Sequence, residues 1–448
     1  MRKIAILLLG AAACALQAKA PAVFAIRDAR IVTVSGPVLE RGTVLIRDGL
    51  IQAVGVDVAV PPEAWVIEGK GLTVYPGLID ALSTLGIAEA ATAAAPATRT
   101  SARAPTPSPT PAPAQTPATP SVTTQPARGP EDRPSNTSWV RAADLISPAD
   151  RRIETARNAG FTTAVTFPPR GIFAGQGAVI SLAGEKAGQM VISSPAGLYL
   201  TVSTAGFASF PGSLMGVLAY IRQIFLDTQQ YRLAQDAYAA HPLGAKRPAY
   251  DRALEGVLES PRVLLPATRA VELDRMVRFG AELKKKVVLY GAHEAYRATD
   301  VLRASGTPVL VSLKWPERSR DADPEEEEPA RVLEMRERAP SAPAALAKAG
   351  VVFALYSDGL ATPRELIRAV RRALDAGLSQ ADAVRAFTLS AAQIYGVADR
   401  LGSIDKGKIA NLVVTTGDLF QEKTQVKHIF IDGIKFEPTP EQPEEVTR

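Results

Sequence analysis

The chain has 448 residues, with 51 Lys and Arg against 46 Asp and Glu and a formal net charge of +5. So slight an excess over this length, with no prominent basic cluster, argues against a nucleic-acid partner. Hydrophobic residues at 46% and charged residues at 22% are the balance of a globular protein long enough for a large α/β domain and a smaller one.

At the N-terminus, Arg2 and Lys3 precede an apolar run over residues 4–16, and Ala18-Lys19-Ala20 places small residues at cleavage-site spacing. These are the three parts of a secretory signal peptide, in a segment too short to span a membrane. The expected product is a secreted or periplasmic chain that begins after cleavage near Ala20. Cys14 is the one cysteine and lies within residues 1–20, so the mature chain has no disulfide. Cleavage before Cys14 with lipidation there is the alternative, although Ala11-Ala12-Ala13 lacks the leucine expected three positions earlier. No later stretch is long and apolar enough to span a bilayer.

Residues 23–26, 30–34, 43–46, 51–55, 64–67 and 72–74 are short β-rich runs broken by Ser35-Gly36-Pro37 and the hairpin-type Asp48-Gly49. They predict antiparallel strands of a small sandwich. Residues 410–414 and 426–431, followed by Asp432-Gly433, are similar runs at the other end of the chain. An isolated hairpin is marginal, so these strands need the N-terminal ones as a partner sheet. One composite β-sandwich domain, 21–76 with 403–440, then brackets a central domain, 77–402.

Residues 88–138 interrupt that domain with a tract rich in Ala, Pro and Thr. Such a composition cannot bury enough apolar area to offset its ordering entropy, and a disordered insertion is expected. Strands and helices alternate from Trp139 to Gly396. Counting residues 78–81 as the first, the apolar runs at 161–167, 178–182, 191–200, 262–266, 287–291, 309–313 and 351–356 make eight candidate parallel strands. Helical periodicity marks 148–159, 214–238, 269–284, 362–376 and 380–395. This number of strand–helix units favours an α/β fold of the (β/α)8 TIM-like barrel type, with the small β-sandwich appended.

Three stretches carry a resemblance. Gly42-Thr43-Val44-Leu45-Ile46-Arg47-Asp48-Gly49, Pro76-Gly77-Leu78-Ile79-Asp80, and the run from Thr388 through Gly402-Ser403-Ile404-Asp405-Lys406-Gly407-Lys408 to Ala410-Asn411-Leu412 occur in this order. Together they resemble the amidohydrolase superfamily, with the imidazolonepropionase-like branch the nearest in look. The resemblance spans nearly the whole mature chain outside the Ala/Pro/Thr tract. It implies a barrel with a composite sandwich and hydrolysis of non-peptide C–N bonds in cyclic amides or amidines, using zinc held at the C-terminal ends of the barrel strands.

The residues depart from that pattern at the site. The two histidines implied after the first strand are matched by Leu82 and Thr84. The one after strand five falls on Pro266-Ala267, and the one after strand six falls near Gly291, with His293 two positions on. Asp358, in Ser357-Asp358-Gly359, matches the aspartate after strand eight. Zinc takes about three or four N, O or S ligands, and one aspartate with a displaced histidine falls short. The expectation is therefore no metal cofactor, and either a weakly active or inactive hydrolase or a non-catalytic periplasmic binding or scaffold protein that takes a small-molecule ligand or a partner at the barrel mouth. A homo-oligomer is compatible with either.

Asp358 is the candidate catalytic residue, a general base if burial raises its pKa; the alternative is a cap on the following helix. His293 is a candidate ligand-binding residue or a structural histidine, and Lys314 either presents charge to an anionic ligand or is a solvated loop lysine. Residues 169–177, with Gly171, Gly175 and Gly177, are expected to form a lid or wall at the mouth. The acidic run 321–328 is expected to be a solvated loop, and neither His241 nor His428 is placed for chemistry.

Overall fold

The computed structural model describes residues 23–88, 133–204, 210–244, 246–319, 321, 323, 325–360 and 362–439. The expected signal peptide lies outside these residues, as does most of the Ala/Pro/Thr tract.

Strands from both ends of the chain build one sheet. They are β1 (Val23–Ile31), β2 (Leu39–Arg47), β3 (Leu50–Gly55), β4 (Trp65–Glu68) and β5 (Thr73–Pro76) at the start. The barrel and its rim follow with β6 (Leu78–Ser83), β7 (Phe161–Thr166), β8 (Phe173–Gln176), β9 (Ala178–Ser181), β10 (Val191–Ser193) and β11 (Leu198–Leu200). Next come β12 (Val263–Ala267), β13 (Val287–Gly291), β14 (Val309–Ser312) and β15 (Phe353–Tyr356). The end of the chain adds β16 (Leu412–Thr415), β17 (Val426–Ile431) and β18 (Ile434–Phe436).

In the end-built sheet the order is β18-β17-β16-β5-β1-β2-β3, with β4 paired to β1. It is mixed, and not wholly antiparallel as expected, because β1 runs parallel to both β4 and β5. The sheet curls over its own core: Phe24 on β1 and Phe430 on β17 are separated by two strands, yet their rings meet edge to face at 5.3 Å. Ile26, Ile46, Val74 and Leu412 share that core. Burying such side chains contributes roughly 1.5–3 kcal/mol each, which anchors the C-terminal strands to the N-terminal ones.

The central domain is a closed α/β barrel, as expected. Strands β11 to β15 are parallel neighbours in chain order, and β6 pairs parallel with β7. Closure between β15 and β6 is made by Asp80, which accepts hydrogen bonds from the Ser357 backbone N–H at 3.0 Å and from Ser357 Oγ at 2.6 Å.

One stave departs from the expected eight parallel strands. Residues 173–181 form a single reversed run, β8 and β9, pairing antiparallel with β11 on one side and with β7 on the other. Gly177 is the joint. It donates to the Gly197 carbonyl at 2.8 Å and accepts from the Ala196 N–H at 2.8 Å. Within the lid or wall expected at 169–177, residues 173–176 are thus a buried strand, and 169–172 are left as the turn that precedes it. The segment's glycines allow close approach: a Cβ at Gly175 would stand 2.5 Å from the Val140 carbonyl oxygen.

Two smaller corrections concern the ends of elements. Residues 133–138, expected within the disordered insertion, are packed: Ser138 Oγ donates to the Ala253 carbonyl at 2.5 Å, and Arg133 pairs with Asp251. The helix expected over 380–395 breaks at Thr388 into Gln380–Phe387 and Leu389–Tyr395. Thr388 Oγ1 bonds back to the Val384 carbonyl at 2.6 Å and its backbone leaves the helical region, at φ −127° and ψ −94°.

The helix after β15, Pro363–Asp375, is capped by Thr362, whose Oγ1 accepts from the Glu365 N–H at 3.2 Å while Glu365 reaches back to the Thr362 N–H at 3.0 Å. Thr362→Ala is expected to lower stability by about 1 kcal/mol in urea unfolding; an unchanged midpoint and slope would show that this box is not formed in solution. Among the described residues, no helix is long and apolar enough to cross a membrane.

Candidate functional site

The C-terminal ends of β6, β7 and β11–β15 point to one face of the barrel, where a site is expected for this architecture. Inside the barrel the floor of that face is apolar: Ile79, Val165, Leu264, Val288, Leu310 and Ala354 pack together with Tyr395 below them. Tyr395 is buried, and its hydroxyl donates to the Ala81 carbonyl at 2.6 Å.

Above this floor, aromatic side chains come from strand ends far apart in sequence. Tyr199 and Tyr290 are penultimate in β11 and β13, and Tyr356 closes β15. The Tyr199 ring lies 5.1 Å from that of Tyr290 and 5.5 Å from that of Phe167. The Tyr290 hydroxyl donates to the Leu200 carbonyl at 2.9 Å. Burial pushes the phenols of Tyr290 and Tyr356 well above the ordinary value and that of Tyr199 up, and the charge of Asp358 pushes all three the same way. They are therefore neutral O–H groups at physiological pH.

Asp358 sits at the rim in the left-handed region, at φ +52°, a conformation that a short polar side chain tolerates. Its Oδ2 accepts from Ser312 Oγ, at the end of β14, at 2.7 Å. The helix-cap alternative is overturned, since Thr362 caps the following helix. Asp358 is exposed, so the burial on which the general-base reading depended is absent.

His293 is 8% exposed and follows Gly291 and Ala292, both at positive φ. That turn is pinned to the loop after β12 by Ala292 N–H to the Ala267 carbonyl at 2.8 Å and Glu294 N–H to the Thr268 carbonyl at 2.9 Å. The turn carries the histidine two residues beyond the strand end, against Trp315 at 5.8 Å between ring centroids. Burial pushes the imidazole down, opposed by the Ser312 backbone and the charge of Asp358. Among the described residues, its buried Nε2 has no hydrogen-bond partner. Lys314 is exposed just past β14, with its backbone N–H donating to Ser312 Oγ at 3.1 Å.

The positions matching the superfamily's zinc ligands do not fit a metal. Leu82 is buried in the barrel's apolar interior, and Thr84 Oγ1 is occupied by the Arg152 guanidinium at 3.0 Å. Pro266 offers no donor atom in its side chain. Among the described residues, no group of three or more His, Cys, Asp and Glu side chains is arranged to hold a metal ion.

The structure thus brings Asp358 and His293 to one end of the barrel and leaves Lys314 on its exposed edge. Tyr199, Tyr290, Tyr356, Ser312 and Asp80 were not singled out from the sequence. The signal available for the tyrosines was positional, since each stands at the last or next-to-last residue of an apolar run.

The architecture defines a class: a (β/α)8-type barrel with a β domain assembled from both chain ends. Residues 273–435 match the family model described as "Amidohydrolase family". Among solved structures, the chain is similar to an amidohydrolase from Thermotoga maritima at 23% identity, over 92% of this chain and 100% of that one, with a TM-score of 0.71. It is also similar to a prolidase complexed with N-methylphosphonate-L-proline, at 16% identity over 93% and 100% of the two chains with a TM-score of 0.51. A third likeness is to phenylurea hydrolase B, at 16% identity over 93% and 98% with a TM-score of 0.51. No curated protein matches. The chain has the fold of these solved amidohydrolase structures, and the family-model match lies within residues 273–435.

Proposed function

We propose that this protein is an exported member of the amidohydrolase fold that holds a small molecule at the barrel mouth and does not hydrolyse it through a metal centre. The observation that carries this reading is the substitution of the ligand positions together with their reuse. Leu82 has become core, Thr84 is taken by Arg152, and the turn after Gly291 carries His293 away from the strand end. A ligand set replaced by packing cannot lower the pKa of a bound water. What remains at the mouth is a layer of tyrosines over an apolar floor, with an exposed carboxylate at the rim. Export rests on the basic, apolar and small-residue succession at residues 2–20.

The second reading is a C–N hydrolase centred on Asp358, favoured by the family signature in the second half of the chain. The mature chain from Pro21 separates the two. The binding reading expects no stoichiometric zinc after purification, and background hydrolysis of amide and lactam substrates that is unchanged in Asp358→Asn. Stoichiometric zinc with Asp358-dependent turnover would overturn it.

A further inference from the structure

The charge balance of the mouth points to a ligand class, and this inference rests on the binding reading above. Of the polar groups that converge there, the phenols of Tyr199, Tyr290 and Tyr356 and the imidazole of His293 flank one carboxylate, Asp358, while Lys314 stands on the exposed edge just past β14. Tyr199, Tyr290 and Tyr356 are neutral phenols held by burial, and His293 is pushed towards neutrality by the same cause. Asp358 is exposed and, among the described residues, makes no ion pair; Ser312 Oγ donates to it, but a hydroxyl brings no countercharge. An exposed carboxylate beside aromatic rings is complementary to a cation, which gains from the carboxylate by charge and from ring faces by cation–π attraction.

The buried imidazole supplies an independent observation. Among the described residues, the Nε2 of His293 is buried and has no hydrogen-bond partner. A buried ring nitrogen without a partner costs roughly 1–3 kcal/mol, which a polar group of a ligand at the mouth would recover. The carboxylate and the π-faces call for positive charge on that ligand. We infer that the mouth takes an organic cation, an ammonium or guanidinium group held by Asp358 above the Tyr199, Tyr290 and Tyr356 rings.

The test uses the mature chain with four probes in isothermal titration: choline, agmatine, the neutral isostere 3,3-dimethyl-1-butanol, and the anionic 3,3-dimethylbutyrate. At least one of the two cations is expected to bind about tenfold or more tightly than the neutral and anionic probes. Asp358→Asn is expected to remove most of that preference, and Tyr290→Leu to weaken cation binding by a further severalfold. Circular dichroism of each variant separates lost binding from lost fold. Equal binding of the cationic and neutral probes, dependent on Tyr290, would overturn the cation assignment and leave the mouth as a ligand site. Preference for the anion with loss in Lys314→Ala would overturn it in favour of the lysine. Binding that disappears with a chelator and returns with Zn²⁺ would also overturn it, because the cation would then be a metal. Absence of binding by every probe would overturn both the assignment and the binding reading.

Discussion

Gly177→Ala is expected to destabilise the protein by about 3 kcal/mol, at the upper end of overpacking effects. A Cβ at this position would lie 2.2 Å from Cε1 and 2.5 Å from Cδ1 of the Phe167 ring. That ring is 1% exposed and has little room to yield, wedged between Tyr199 at 5.5 Å and Tyr395 at 6.4 Å. Moving the backbone away from the ring instead would strain the two hydrogen bonds that Gly177 shares with Ala196 and Gly197. The clash is with one side chain, so it can be relieved. Phe167→Leu is destabilising alone, yet adding it to Gly177→Ala is expected to recover at least 1 kcal/mol in a double-mutant cycle by urea unfolding, about the size of coupling expected for residues in contact. Strict additivity of the two would show that the loss comes from elsewhere. The same pair reaches the mouth, because Phe167 supports Tyr199.

Asp80 predicts a dependence of stability on pH with a definite sign. Burial raises its carboxyl to about 6, against the lowering effect of the Ser357 and Leu82 hydrogen bonds. The folded protein therefore binds this proton more tightly than the unfolded chain, whose carboxyl titrates near the ordinary value of 3.8. Stability from this group is fully present below the ordinary value and is lost as pH rises towards 6. Between pH 4.5 and 7.5 the change is about 2 kcal/mol. Carboxylates with lowered values, Asp150, Glu272 and Asp405 among them, pull the other way, so the comparison is with Asp80→Asn at both pH values. The wild type is expected to gain about 2 kcal/mol on the variant at pH 4.5 relative to pH 7.5. A difference that does not change with pH would remove the argument. Asp80→Ala is expected to be worse than Asp80→Asn at every pH, because it leaves the Ser357 N–H and hydroxyl unpaired in the closing seam of the barrel.

The barrel was legible where a run of apolar residues coincided with one buried strand. Val263–Ala267, Val287–Gly291 and Val309–Ser312 stand close to where their β-branched and leucine residues put them. It was not legible at Phe173–Gln176, since Gly171, Gly175 and Gly177 carry loop propensity and the tertiary contact that demands small residues lies outside the segment, and the strand expected at 178–182 is present as Ala178–Ser181 but runs reversed. The site was half visible. Asp358 and the displaced His293 could be found by matching motifs, and the substituted positions Leu82, Thr84 and Pro266 were explicit in the letters. The Ser312–Asp358 hydrogen bond and the meeting of Tyr199 with Tyr290 depend on barrel closure, which no local pattern encodes. That Asp358 does not cap the following helix was settled by Thr362, four residues on, with a complete capping box of its own.

The reversed stave also limits how this protein can diversify. In an all-parallel barrel every strand hands its own loop to the functional face, and each can vary on its own. Here β7 ends and β8 begins at the same place, so the two staves share one turn there, Pro168-Pro169-Arg170-Gly171-Ile172, which runs straight into buried strand. Two prolines stiffen it. Gly171 follows, and a Cβ there would stand 2.7 Å from the Ser135 carbonyl oxygen, so neither insertion nor side chain is easily accepted. On this quadrant the rim is a fixed wall, and new recognition can be written only into the loops of the other strands.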